Sequence, residues 1–458
     1  MNADLDEIIG RSRFGPLHLR IVLLTGLVIL FDGYDLTIYG AVVPRMIVEF
    51  DISPATAGLI GSGALVGMMI GAMVFGALAD RVGRRRPIIA CVVLYTVFTG
   101  AVFLATTPWE VGVYRFLAGL GLGGVMPNAV ALVSEYAPAR LRSTMVGVMF
   151  SGYMVGGIVA ALLGVVLIPA YGWRSLFLLG ALPLLAVPLL VKYLPEAPAF
   201  LLRRGRADEL AATLRTLDPD LPPAGELRVT AGAEPAGERE GRAHQGIRRS
   251  PVASLFRDGY GVHTAMLWIA FFMVLLMIYG LLTWLPQLMI ESGYPLGSSL
   301  SFLMTLFLAG IVITWVGGYL SDRYGTRPVL IVSYLVAAVF VAALGFLGDS
   351  SLLWVYASVA LGGGATFAAQ IFANAYAAQS YPSFARSAGI GWALGIGRIG
   401  AIIGPLLGGV LLTAGVPLYV NFLAFAVPGI IAAAALGLIR TRTAAAPRTP
   451  VTRPSIGA

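Results

Sequence analysis

Apolar residues along the chain come in repeated runs of roughly 20, separated by short polar breaks, and a run of that length crosses a bilayer as a helix. The first half gives spans at about 20–43, 55–79, 87–106, 109–135, 143–168 and 173–192. The second half gives 263–288, 298–321, 328–347, 351–380, 387–413 and 418–440. The pattern predicts an all-α polytopic membrane protein with twelve transmembrane helices. Residues 193–262 break the pattern. They are polar and rich in Arg, Glu, Pro and Gly, as in Gly237-Glu238-Arg239-Glu240-Gly241-Arg242. Such a composition cannot bury a core and reads as a linker, with short surface helices near Ala207 to Leu217. The expected organisation is a cytoplasmic N-terminus (1–19), a six-helix half (20–192), a cytoplasmic linker (193–262), a second six-helix half (263–440) and a cytoplasmic, disordered tail (441–458).

Composition agrees. Of 458 residues, 58% are hydrophobic and only 12% charged, about half the charged share of a soluble domain. The start, Met1-Asn2-Ala3-Asp4-Leu5-Asp6-Glu7, is acidic and lacks a small-residue cleavage site, so no signal peptide is expected. A net charge of +8 could suggest nucleic acid, but the arginines sit in short loops beside apolar runs, where cytoplasmic retention explains them. Arg81, Arg84, Arg85 and Arg86 follow span 2, Arg140 and Arg142 span 4, Arg323 and Arg327 span 8, and Arg386 span 10. The alternate loops hold Glu49, Asp51, Glu110, Glu291 and Asp349, with Arg45 and Arg174 as exceptions. Both termini are therefore expected in the cytoplasm of an inner-membrane protein. Cys91, the single cysteine, reads as a small core residue. His18, His244 and His263 are not grouped as metal ligands, and neither metal nor cofactor is expected.

An internal repeat sets the architecture. Gly76-Ala77-Leu78-Ala79-Asp80-Arg81-Val82-Gly83 recurs 242 residues later as Gly318-Tyr319-Leu320-Ser321-Asp322-Arg323-Tyr324-Gly325. The same offset pairs Pro44 with Pro286, at the ends of spans 1 and 7, and Val113-Tyr114 with Val355-Tyr356. Pro138 and Arg142-Ser143 match Pro382 and Arg386-Ser387 at an offset of 244. Two parallel six-helix halves joined by a long linker are the plan of a rocker-type secondary transporter.

Groups present in only one half are then candidates for chemistry. Asp32 and Asp35, in Phe31-Asp32-Gly33-Tyr34-Asp35-Leu36, correspond to Val274 and Met277. They share a helix face inside an apolar run, where a carboxylate is costly and marks function. Like charges so close should not both ionise, so one is a candidate proton carrier. The alternative is a buried ion pair with Arg115 that only holds helices together. Arg115 corresponds to Ala357, and Arg398, deep in span 11, to Met154. The planar fork of Arg398 suits a carboxylate, and its alternative partner is Asp32 or Asp35 in the empty carrier. The glycines after Arg115 (Gly119, Gly121, Gly123, Gly124) and on span 5 (Gly152, Gly156, Gly157) suit close helix packing, and no GxxxxGK phosphate loop follows them.

These residues resemble the major facilitator superfamily and, within it, the aromatic acid:proton symporters. Gly76-x-x-x-Asp80-Arg81-x-Gly83-Arg84-Arg85 matches the superfamily's signature loop, and Arg115-x-x-x-Gly119-x-Gly121-x-Gly123-Gly124 resembles its helix 4 motif. Asp32-Gly33-Tyr34-Asp35 fits the subfamily's DGxD pattern. Pro127-Asn128, Ser134-Glu135-Tyr136 and Arg398-Ile399-Gly400-Ala401-Ile402-Ile403-Gly404-Pro405 support it. The resemblance implies uptake of aromatic carboxylates such as benzoate, hydroxybenzoates, vanillate or gentisate with protons. It implies roles for Asp32, Asp35, Arg115 and Glu135 in proton coupling and for Arg398 in substrate binding. Gating falls to Gly76, Asp80, Arg81, Arg84, Asp322, Arg323, Arg142 and Arg386. The second signature loop departs from the pattern, ending Gly325-Thr326-Arg327-Pro328 with one arginine.

For the aromatic ring, Tyr279, Phe372, Tyr376 and Trp392 are candidates near the midplane or near polar Gln370 and Asn374, against the alternative of core or lipid packing. Asn128 could bond a ring substituent or a neighbouring helix. The competing functions are a symporter of another organic anion, such as a dicarboxylate or sugar acid, and a drug:proton antiporter, which Arg398 disfavours. A membrane enzyme lacks its motifs here: no HExxH, nucleophile elbow or nucleotide loop occurs. The expected partners are substrate, protons and lipid, with no nucleic acid, and the chain is expected to act as a monomer.

Overall fold

The computed structural model describes residues 2–217, 228–230, 255, 260–347, 351–381 and 383–439. Twelve of the described helices are long and apolar enough to span a membrane, and the chain is an integral membrane protein. They are α1 (Pro16–Phe50), α2 (Pro54–Val82), α3 (Arg85–Leu104), α4 (Pro108–Tyr136), α5 (Arg142–Tyr171) and α6 (Arg174–Tyr193). The second set is α7 (Gly261–Glu291), α8 (Leu296–Tyr324), α9 (Thr326–Leu344), α10 (Leu352–Ser380), α11 (Ser383–Thr413) and α12 (Leu418–Leu438).

Most ends fall where sequence chemistry puts them. Proline occupies the first turn of α1, α2 and α4, where its missing N–H costs nothing. The Thr107 hydroxyl and the Glu110 carboxylate close a capping box on α4. Two expectations are corrected. Pro44 and Pro286 do not end their spans: α1 continues to Phe50 and α7 to Glu291. A proline inside a membrane helix is tolerated because neighbouring helices and local adjustments satisfy the freed carbonyl. Span 6 is not one regular helix. Gly180 and Pro183 interrupt it, so that Arg174–Leu179 and Val187–Tyr193 are joined through a tighter 3₁₀ turn at Leu182–Ala186.

Within each half, glycine lets backbones touch. A Cβ on Gly33 would enter the Tyr153 backbone of α5, and one on Gly156 would meet the Leu30 carbonyl of α1. α1 and α5 therefore pack backbone to backbone at the Asp32-Gly33-Tyr34-Asp35 turn. α2 against α4, and α7 against α11, pack the same way.

The halves meet along three helix pairs, α1 with α7, α2 with α11 and α5 with α8. The contacts that can be placed lie from mid-helix toward the end opposite the arginine-rich loops. Gly40 abuts Leu282, Gly58 abuts Pro405, Gly157 abuts the Phe307 ring and Gly164 abuts Leu300. The Ser62 hydroxyl donates to the Ile402 carbonyl at 2.6 Å and the Ala55 N–H to the Thr413 hydroxyl at 2.8 Å. That end is closed by direct contact between halves. There Arg174, an exception to the charge pattern, is paired with Glu49.

The stretch after α6 is better ordered than its composition suggests. Pro198–Arg203 and Ala207–Leu217 are helices, and Leu194, Phe200, Leu201, Leu210 and Leu214 are buried. They cover the arginine end of the first half together with a short N-terminal helix, Leu5–Arg11, whose Leu5 and Ile9 are also buried. The Gly237–Arg242 stretch and the tail from Arg440 lie outside the described residues.

Candidate substrate and proton site

Asp35 and Arg115 form a buried ion pair. Arg115 Nη1 lies 2.5 Å from Asp35 Oδ2, and both side chains are 2% exposed. The Thr99 hydroxyl of α3 donates to Asp35 Oδ1 at 2.5 Å, and the Arg115 guanidinium lies over the Tyr39 ring, 5.3 Å from its centroid. Both Asp35 oxygens are thus taken by donors, one of them a cation. Such a pair ties α1, α3 and α4 together, and removing one partner would strand a buried charge.

Asp32 is treated differently, although it is only one turn away. It is wholly buried, yet neither carboxylate oxygen has a hydrogen-bond partner among the described residues. Its charged neighbours are Arg398 and Asp35. The spacing left open which of the two carboxylates is the proton carrier; in the structure Asp35 is satisfied and Asp32 is not.

Arg398, half-buried near the middle of α11, donates from Nη1 to the Tyr279 hydroxyl of α7 at 3.3 Å. It forms no ion pair among the described residues, so the alternative salt bridge to Asp32 or Asp35 is not made. The Tyr279 hydroxyl also meets that of Tyr153 on α5. One polar cluster thus spans both halves: Asp32 and Tyr153 from the first, Tyr279 and Arg398 from the second. Tyr153 was not among the sequence candidates. It corresponds to Gly397 at the 244 offset, so the rule that picked Arg398 would have picked it too.

The other ring candidates do not join this cluster through any direct bond. The Phe372 ring fills the space over Gly317 of α8. Tyr376 lies against His263, with ring centroids 6.2 Å apart. Trp392 stacks on Trp268 at 5.9 Å. Gln370 and Asn374 sit one turn apart on α10, their side-chain oxygens buried and without a hydrogen-bond partner among the described residues. Asn128 makes the neighbouring-helix bond that was one of its two alternatives: its amide nitrogen donates to the Gly124 carbonyl at 2.8 Å and the Phe75 carbonyl at 3.4 Å, so it ties α4 to α2.

The family follows from comparison with known proteins. The model of the Major Facilitator Superfamily matches residues 25–373 and 297–457. The chain is 40% identical over 444 residues to the benzoate transport protein of Acinetobacter baylyi, covering 96% of this chain and 93% of that one. It is 38% identical to the 4-hydroxybenzoate transporter PcaK of Pseudomonas putida, with 90% of each covered. It is 35% identical to the gentisate transporter of Corynebacterium glutamicum, covering 92% and 87%. The chain belongs to the aromatic acid family of the Major Facilitator Superfamily. Its fold also matches the inward-open xylose transporter XylE from E. coli, with a TM-score of 0.73 at 17% identity over 93% of this chain and 98% of that one.

The superfamily's signature loops can now be placed. In the first, the Glu196 carboxylate accepts from the backbone N–H groups of Arg84 at 2.7 Å and Arg85 at 3.1 Å, beside Gly83 at φ +90°. Arg84 Nε donates to Glu135 Oε1 at 2.6 Å. Glu135, expected with the proton-coupling group, lies instead in this loop cluster at the arginine end of α4. Arg85 donates to the Val191 carbonyl of α6, and its counterpart Arg327 to Leu436 of α12 at 2.9 Å. Arg327, which stands where the first loop has Arg85, therefore caps the last helix of its half as Arg85 does. Asp80, Arg81, Arg142, Asp322 and Arg323 are exposed, and Gly76 faces open space. The Arg386 side chain lies outside the described residues.

Proposed function

We propose that the protein imports a small aromatic carboxylate across the inner membrane by proton symport, alternating between two access states. The observation that carries this reading is the mid-membrane cluster, with an unpaired guanidinium on one half and an unpaired buried carboxylate on the other. A carboxylate substrate supplies the anion that Arg398 lacks, and Tyr279 and Tyr153 offer hydroxyls and ring faces beside it. The relatives, named for benzoate, 4-hydroxybenzoate and gentisate, support an aromatic acid over a dicarboxylate or sugar acid.

Asp32 is the proton carrier and Asp35 is not. Both Asp35 oxygens are held by Arg115 and Thr99, which leaves neither free for a transported proton, whereas both Asp32 oxygens lack a hydrogen-bond partner among the described residues. Both termini and the arginine-rich loops face the cytoplasm, as loop charge requires. The closed end then faces out, and the structure is the inward-facing state. In it Asp32 delivers its proton inward and Arg398 releases its anion. The exposed Asp80, Arg81, Arg142, Asp322 and Arg323, with Gly76 and Arg386, serve the cytoplasmic gate when that side closes; Arg84 belongs to the same loop.

Uptake of labelled benzoate and 4-hydroxybenzoate into proteoliposomes, with and without a pH gradient, tests this. Accumulation that ignores the gradient would sink proton symport, and no uptake of either acid would sink the substrate class.

A further inference from the structure

Three buried oxygen-bearing groups at one level of the first half have no settled partner: the Asp32 carboxylate, the Tyr95 hydroxyl and the Thr96 hydroxyl. Tyr95 is 1% exposed, and Thr96 and Asp32 are wholly buried. The Tyr95 and Thr96 hydroxyls sit beside each other, but neither makes a hydrogen bond of normal geometry. Thr96, like Thr314, leaves its buried hydroxyl without a partner among the described residues. Thr25, Thr37 and Thr366 fold their hydroxyls back onto a carbonyl four residues earlier in their own helix, the usual resort of a buried membrane hydroxyl.

Helix register puts these groups together. α1 and α3 both run from the arginine end toward the closed end, and Thr99 bonds Asp35 between them. One turn back on α1 is Asp32, and one turn back on α3 are Thr96 and Tyr95, each about 5 Å along its axis. Tyr95 and Asp32 also act on one another electrostatically. The glycine of α4 opposite fixes the tyrosine: a Cβ on Gly121 would strike the backbone and Cβ of Tyr95.

We propose that Tyr95 and Thr96 are positioning residues for the transported proton, forming with Asp32 a buried site that holds it. The inference rests on the assignment of Asp32 as proton carrier. A hydroxyl can accept or donate by turning about its C–O bond. While Asp32 is protonated, its O–H donates to the Tyr95 oxygen. When the proton leaves toward the cytoplasm, the Tyr95 and Thr96 hydroxyls turn and donate to the carboxylate. The tyrosine and threonine keep their own protons throughout. The other titratable groups facing Asp32 are Asp35 on its own helix, Tyr153 on α5, Tyr279 on α7 and Arg398 on α11. Arg115 is committed to Asp35. Arg398 carries the substrate anion in this reading, which leaves the α3 hydroxyls as the donors that stay with Asp32 through the cycle.

The test is the pH profile of benzoate uptake at a fixed pH gradient in proteoliposomes, for wild type, Tyr95→Phe and Thr96→Val. Without a donor the ionised carboxylate is less stable, so the proton is held to higher pH. The alkaline limb of Tyr95→Phe should move up by roughly one pH unit, and that of Thr96→Val should move the same way by less. Profiles that superimpose on wild type in both variants overturn the proposal. If Tyr95→Phe fails to fold, an unmoved Thr96→Val overturns it alone. Uptake in wild type driven by a sodium gradient at equal pH also overturns it, since the oxygens would then hold a metal cation. Asp32→Asn separates the two levels. Lost gradient-driven uptake there, beside unmoved Tyr95→Phe and Thr96→Val profiles, rejects the positioning role and leaves the carrier assignment standing. Retained gradient-driven uptake in Asp32→Asn rejects both.

Discussion

The two halves repeat one chain plan and differ where polar groups are buried. In the first half, Asp35, Thr99 and Arg115 make a charged knot among α1, α3 and α4. Their counterparts are Met277, Val341 and Ala357, and Met277 packs with Ala337 and Ala365 in an apolar cluster. At the arginine end the contrast is milder. Arg84 pairs with Glu135 in the first half, while Thr326 donates to Gln379 at 2.9 Å in the second, the matching positions at offsets of 242 and 244. One contact survives as an arginine in both halves, Arg85 and Arg327 capping α6 and α12. The repeat thus separates contacts that both halves make from buried polar contacts that only the first half makes.

The largest expected effect comes from breaking the knot. Arg115→Ala leaves Asp35 charged and buried, and should cost about 3–5 kcal/mol. The double variant Arg115→Ala with Asp35→Met, which copies the second half, should recover most of that loss. Thermal unfolding of the purified protein measures both. A double variant no more stable than the single would show that the knot is not an isolated pair.

Next in size is the anion side. Arg398→Lys replaces a fork with a point charge, and benzoate affinity should fall roughly tenfold to a hundredfold, the range for a charge-assisted hydrogen bond. Direct binding to the detergent-solubilised protein reads this; an unchanged affinity would remove Arg398 as anchor. The smallest effect belongs to the loop pair. Arg84 and Glu135 are 27% and 23% exposed, so converting them to Thr and Gln should change stability by about 1 kcal/mol or less. A larger loss would mean that the first signature loop depends on charge in a way the second does not.

Sequence went far on the fold and only part of the way into the site. Twelve spans were legible because a bilayer imposes one length and one composition on every crossing helix. The docking of residues 194–217 was not, because a few leucines spaced along a charged stretch look like a solvated linker until a partner surface exists. In the site, helix spacing puts Asp32 and Asp35 on one face but cannot say which meets a cation on another helix. Arg115 lies 80 residues from Asp35 in the chain, and only packing chooses between the carboxylates. Tyr153 and Thr99 were findable, each being polar in one half against Gly397 and Val341 in the other. Of the aromatic candidates, Tyr279 bonds Arg398 in the polar cluster, while the Phe372 ring packs over Gly317, since a ring at helical spacing fills packing space as readily as it faces a ligand.

Asp32 and Asp35 are both buried on one helix, and we assign the proton to Asp32 alone. The direct measurement is internal pH in proteoliposomes during substrate-driven uptake, with labelled substrate followed in parallel. Wild type should acidify the lumen as substrate enters, and Asp32→Asn should exchange labelled substrate without acidification. Acidification coupled to substrate entry in Asp32→Asn would contradict it.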